Sequence, residues 1–201
     1  WRGGDFEFGI LRKLARYYFE VNDFKRGLRS LRSAASNFPG HALAQEVAEE
    51  MSDVFNELYL NDGADLMPPV EALALFDEFK ELTPSGESGD VMIRKLADRL
   101  AQVDLLGRAA VLLQRQVDFR LKGIEKAKVG SRLATIRILN REPELALEVL
   151  QQTNETGLPP ELMTGRLQLK ARASIDLDRQ QEALETLKED TSREADLLRN
   201  E

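Results

Sequence analysis

The 201-residue sequence contains no cysteine. That absence removes disulfides, thiolate metal sites and cysteine nucleophiles together, so the fold must be held by packing; it is compatible with the cytoplasm or with a bacterial periplasm. Histidine occurs once, at His41, so no histidine pair or His-rich metal site can be assembled, and His41 reads as a surface or capping residue rather than a catalytic one. Long apolar runs are also missing. Stretches such as Ala72 to Phe76 stop far short of the roughly 20 residues needed to cross a bilayer, so direct membrane insertion is not expected. There is no glycine-rich phosphate loop, and the acidic turns "NDGAD" (Asn61 to Asp65) and "DLD" (Asp176 to Asp178) lack the glycine and glutamate spacing of a calcium loop. "NET" at Asn154 has the form of a glycosylation acceptor and nothing more. With no initiating Met and no leader ahead of Trp1, the sequence reads as an excerpt of a longer chain, and localisation stays open. No catalytic set, cofactor or metal is expected.

What is present is an ordinary folded composition, 42% hydrophobic and 31% charged, with a net charge of −7 distributed in blocks. Residues 1–40 carry 8 Lys/Arg against 4 Asp/Glu, and residues 41–90 carry 1 against 13. Residues 91–140 carry 11 against 4, and residues 141–201 carry 8 against 14. Such blocks would intermix in a compact globule and remain as bands in a linear stack.

The periodicity supports a stack. Leu11, Leu14 and Tyr18 recur at helical spacing; after Asn22-Asp23 a second helical stretch runs through Phe24, Leu28 and Leu31 and ends at Pro39-Gly40, making a helical hairpin. Ala15 and Gly27 are the small residues that let the two axes approach closely. Small residues recur at Gly27, Ala72, Ala109, Ala146 and Ala183, at intervals of 45, 37, 37 and 37. An alanine stands twelve positions before four of them (Ala15, Ala97, Ala134, Ala171), and a large residue four positions after each (Leu31, Phe76, Leu113, Leu150, Leu187). Regular spacing of this length is the signature of a solenoid, in which neighbouring units bury one another's apolar faces. The expected fold is all-α, a right-handed α-solenoid of about five antiparallel helix pairs plus a partial sixth. Its units fall near 5–40, 41–84, 88–120, 124–155 and 160–190, with the partial unit at 191–201, as a single domain over 1–201. The longer second unit is ascribed to an insertion at "LNDGADLMPP" (Leu60 to Pro69), read as a solvated spacer. Pro69, Pro143 and Pro160 suit first-turn positions, and Thr191 with Glu194 offers a capping box.

These residues resemble the tetratricopeptide repeat family. Ala15, Tyr18, Phe24, Gly27, Leu31, Ala34 and Pro39 follow its small, aromatic, aromatic, small, large, small and Pro pattern, and "PELALEVLQQ" and "QEALETLKED" look like its second helix. The repeat here is 37 residues rather than about 34, and the slot of Tyr18 is held by Leu100, Arg137 and Ser174 in later units. The resemblance implies a ligand groove lined by first-helix residues. Carried over by position, these include Arg12, Arg16 and Phe19, then Arg94 and Asp98, then Lys128, Thr135 and Ile138, then Arg172, with the second unit left unassigned because its register is unsettled.

Arg12, Arg16, Arg94, Lys128 and Arg172 would form a basic row, and arginine suits carboxylates because its planar fork donates two parallel hydrogen bonds. The expected function is a protein–protein interaction scaffold that holds a protein or peptide partner, with an acidic segment as the candidate, and no nucleic acid. A purely structural spacer or oligomerisation array within a larger protein is the alternative.

Overall fold

The computed structural model describes residues 4–200, and among them eleven α-helices and no strand: α1 Gly4–Glu20, α2 Phe24–Asn37, α3 Ala44–Leu60, α4 Pro69–Glu78, α5 Glu87–Gln102, α6 Leu106–Phe119, α7 Gly123–Leu139, α8 Pro143–Gln152, α9 Pro160–Asp176, α10 Gln180–Thr186 and α11 Arg193–Arg199. Short 3-10 turns follow α3 at Gly63–Leu66 and α4 at Lys80–Leu82. Pro69, Pro143 and Pro160 each open their helix, where a missing N–H costs nothing. The chain forms two compact units, Trp1–Met92 and Ile93–Glu201.

In the first unit α1 packs on α2 and α2 on α3. Ala15 and Leu31 are fully buried at the α1–α2 crossing. A Cβ on Gly27 would lie 2.2 Å from the Phe19 ring, so the ring occupies the space a side chain would need. The α3–α4 pair is joined differently, through an aromatic cluster of Phe55, Tyr59 and Phe76, with Tyr59 Oη donating to the Ala72 carbonyl at 2.6 Å. The Leu60–Pro69 insertion is not wholly a solvated spacer. Its 3-10 turn buries Ala64, while Leu66 stands out in water.

In the second unit α6 packs on α7, α7 on α8, α8 on α9 and α9 on α10, and α7 also packs on α9, the first helix of the next pair. Ala134, Ala146, Leu150 and Ala173 form one buried cluster; Ala171, Ala183, Leu187 and Ala195 form the next. The small-small-large triplets read from the spacing are therefore the cores of successive pairs.

One turn recurs in both units. A single residue in left-handed conformation follows the first helix: Asn22, Asp104, Arg141 or Asp178, at φ 59, 62, 59 and 58°. The N–H of the next residue closes back on the slot residue five positions earlier: Asp23 on Tyr18, Leu105 on Leu100, Glu142 on Arg137, Arg179 on Ser174, at 2.8–2.9 Å. This is the Schellman closure, which satisfies helix-end carbonyls that would otherwise lack donors. The slot therefore needs its backbone carbonyl rather than an aromatic ring, and Leu, Arg and Ser all serve. With this turn, the close alanine crossings and the packing of α7 on α9, the helix pairs are tetratricopeptide-like.

The α11 cap differs from expectation. Ser192, not Thr191, is the N-cap: its hydroxyl accepts from the Ala195 N–H at 3.2 Å, while Asp190 accepts from the Ser192 N–H at 2.9 Å. His41 is a capping residue in the α2–α3 connection, its Nδ1 accepting from the Leu43 N–H at 3.1 Å and its ring stacked on buried Phe8 at 3.7 Å.

Arg166 of α9 is buried without a carboxylate. Its guanidinium donates to the Ala127 carbonyl (2.8 Å) and Ser131 Oγ (3.2 Å) on α7, and to the Leu150 carbonyl (2.6 Å) and Thr153 Oγ1 (3.1 Å) at the end of α8. Burial pulls its pKa below the ordinary arginine value, and the Leu150 carbonyl at the negative end of α8 takes part of the place of a counter-ion.

Two expectations follow. Ala146→Trp and Ala183→Trp each lose about 1–3 kcal/mol or more through overpacking, whereas Gln151→Trp, on an exposed position, changes stability much less; chemical denaturation of the three variants compares them, and equal midpoints would contradict the register. Arg166→Lys keeps the charge but cannot reach both α7 and α8, and is expected to lose roughly 1–3 kcal/mol as the buried bonds to one of the two helices are lost; a denaturation midpoint equal to wild type would show the bonds contribute nothing.

Candidate partner-binding grooves

The second unit has a groove of about 730 Å³ built by one hairpin and the first helix of the next. Residues of α7 (Thr135, Ile138 and Leu139) form one wall and residues of α9 (Leu169, Arg172 and Asp176) the other; Arg141, Pro143 and Glu144 close the end at the α7–α8 turn. Ile138 and Leu169 pack down on the Ala134–Ala146–Leu150–Ala173 cluster, so the groove floor is the upper layer of that core. Leu139 is the exposed apolar side chain here, 62% accessible.

The turn is held electrostatically. Arg137 donates to Glu142 at 2.6 Å, and that bond holds the Glu142 carboxyl below its ordinary 4.5. Across the groove Arg172 lies 3.3 Å from Asp176 one turn on. The Thr135 hydroxyl donates to the Ser131 carbonyl at 3.1 Å. Two guanidinium groups and two carboxylates therefore stand around an apolar floor.

Of the positions expected to bind a partner, Thr135, Ile138 and Arg172 meet in this groove. The others have separate settings. In the first unit Arg12 binds Glu50 at 2.9 Å and also Glu46, and Arg16 lies 3.8 Å from Glu50, so α1 and α3 neutralise each other. Phe19 belongs to a second groove, of about 450 Å³, with Phe24, Val54 and Leu58. Asp98 of α5 is bonded to Arg132 of α7, at 2.5 Å from Nε. Lys128 pairs with Glu125 at 2.7 Å. Arg94 is a half-buried residue of α5. The charge blocks are thus not isolated bands, since in the first unit basic α2 is bonded to the acidic stretch after it, Arg29 to Glu78 at 2.5 Å and Arg32 to Glu81 at 2.5 Å.

Arg141 and Leu169 line the groove but were not among the expected positions. Arg141 occupies the left-handed turn position shared with Asn22, Asp104 and Asp178, and that equivalence is the signal that would have found it. Leu169 carries no mark beyond its place two residues before Ala171. No helix among the described residues is long and apolar enough to cross a membrane.

No family model matches the chain, and no curated protein matches it in sequence. Among solved structures it is similar to the crystal structure of MamA protein, with 17% identity over 96% of this chain and 92% of that one at a TM-score of 0.46. It is also similar to the crystal structure of PilW, titled a widely conserved type IV pilus biogenesis factor, with 17% identity over 95% of this chain and 97% of that one at a TM-score of 0.49. Likeness at this level says nothing about what the chain binds, and the fold assignment stands on the helix-pair geometry.

The Arg137–Glu142 pair gives a pH dependence with a definite sign. A carboxyl depressed in the folded state contributes stability above its unfolded pKa, near 4.5, and loses it as pH falls through the lower folded value. Glu142→Gln is therefore expected to be less stable than wild type at pH 7 and to show a shallower loss of stability as pH is lowered through and below 4.5, read from thermal midpoints across that range. Parallel profiles for the two proteins would remove the pair from the account.

Proposed function

We propose that the chain is a protein-binding module whose α7–α9 groove holds a segment of a partner protein. The observation that carries this is the convergence of Thr135, Ile138 and Arg172, chosen by repeat position, on one groove whose apolar floor is extended by exposed Leu139. An extended or helical segment would seat apolar side chains on Ile138, Leu139 and Leu169 and place its polar groups against Arg141, Arg172, Glu144 and Asp176. The charge at the groove is balanced, and Arg12 and Arg172 already have carboxylate neighbours. The partner segment in this reading is mainly apolar, with acidic groups competing for Arg141 and Arg172 at its edge.

Nucleic acid fits less well, because Lys128, Arg132 and Arg137 of the basic stretch are engaged by Glu125, Asp98 and Glu142. In this reading the chain binds and does not catalyse. A spacer or self-assembly role has its own supporting observation, since Leu184 and Leu197 are exposed on α10 and α11; it requires a concentration-dependent increase in mass that Leu197→Asp abolishes.

The test is capture of partners from native lysate by the wild type and by Leu139→Asp with Arg172→Ala. The double variant is expected to fold and to recover at least about tenfold less partner, since an apolar anchor and a charged contact are both lost. Lys128→Ala, which lies outside the groove, serves as the control. Equal recovery by all three proteins would place binding elsewhere.

A further inference from the structure

The second groove differs in chemistry and in position in the chain, lying wholly in the first unit. Its floor is Phe19, Phe24, Val54 and Leu58; its rim is Asp53 and Glu57, one helical turn apart at exposed positions of α3, and no basic side chain lines it. Phe19 is seated against Gly27, and its ring centroid lies 6.1 Å from that of Phe24, so the two rings make an aromatic platform. Four basic groups of this unit are engaged elsewhere. Arg12 is held by Glu46 and Glu50; Lys25, Arg29 and Arg32 lie against Glu78 and Glu81. Glu57 accepts from the neutral Asn61 amide at 2.6 Å, and both rim carboxylates stand in a stretch, residues 41–90, that carries 13 acidic residues against 1 basic.

We propose that this groove binds a basic amphipathic segment of a partner protein, an aromatic or long aliphatic side chain seated on Phe19, Phe24 and Val54 with a Lys or Arg one turn away against Asp53 and Glu57. Both parts of the match are needed. An apolar anchor without the cation gains only the buried area of one side chain, and a cation without the anchor meets two carboxylates in water, where such pairs contribute little. The spacing of Asp53 and Glu57 at i and i+4 presents the charges on one side of a single turn, which a helical ligand with its basic residues at i, i+3 or i+4 can meet.

The probe is a random 12-residue peptide library displayed on phage and selected on the whole chain, followed by fluorescence anisotropy of the enriched peptides as synthetic fluorescein conjugates. Enriched sequences should combine an aromatic or Leu/Ile/Met residue with Lys or Arg three or four positions away, and should bind less tightly as salt rises. Asp53→Asn with Glu57→Gln should raise Kd about three- to tenfold at low salt, while Glu144→Gln with Asp176→Asn, in the other groove, should leave it unchanged. Val54→Asp separates the groove from charge alone, because it makes the rim more acidic while removing the apolar seat. The proposal expects weaker binding by Val54→Asp, with circular dichroism establishing that the variant is folded. If Val54→Asp unfolds, Val54→Ser reads the same loss of the seat without the added charge. Tighter binding by Val54→Asp, an equal effect of the two charge-neutralised doubles, or selection of acidic or purely apolar peptides would each overturn the proposal.

Discussion

The close approach of paired helices at small residues is the constraint on which the rest of the structure depends. A helix pair held apart by large side chains on both faces could not bury Leu31, Leu150 or Leu187 against its neighbours, and one unit alone has too little apolar area to remain folded. Alanine at Ala134, Ala146, Ala171 and Ala183, and glycine at Gly27, set the interaxial distance, after which the large residues four positions on fill what remains. The second-unit groove is a by-product of the same geometry, since Ile138 and Leu169 lie directly on the alanine layer. The Phe19 platform likewise exists because Gly27 leaves room for the ring.

The turn is the second device, and its chemistry is in the backbone. A left-handed residue and one long-reach hydrogen bond reverse the chain in the same way whether the slot holds Tyr18, Leu100, Arg137 or Ser174. Arg141 is the least comfortable occupant by intrinsic preference, since asparagine, aspartate and glycine tolerate that backbone region best. Its side chain lines the α7–α9 groove.

Much of the architecture was legible in the sequence because it rests on spacing. Helix pairing, first-turn prolines and the small-large triplets all depend on residues within one repeat, and local periodicity reports them. The candidate site was legible only where it too is local: Thr135, Ile138 and Arg172 follow from their offsets to Ala134 and Ala171. The fate of Arg12 was not, because Glu46 and Glu50 lie more than 30 residues away on a helix whose rotation no offset fixes. Nor was the groove around Phe19 as a whole, since Val54 and Leu58 come from the pair that the Leu60–Pro69 insertion puts out of register. Thr191 and Ser192 illustrate the finest scale, where adjacent hydroxyl residues carry nearly the same capping signal and the contact from Asp190 decides between them.

The position of Arg166 means that the smallest cooperative piece of the second unit is not one repeat. The Leu150 carbonyl near the end of α8 accepts from α9 through Arg166, and the same guanidinium adds a bond to the Ala127 carbonyl of α7, which also accepts from the Ser131 hydroxyl. A chain ended after α8 would lose the donor to Leu150 and the α9 member, Ala173, of the alanine layer. One guanidinium thus joins α7, α8 and α9 across the boundary of the sequence repeat, and a designed array that shuffled whole repeats at the α8–α9 connection would separate a cation from the groups that make its burial tolerable.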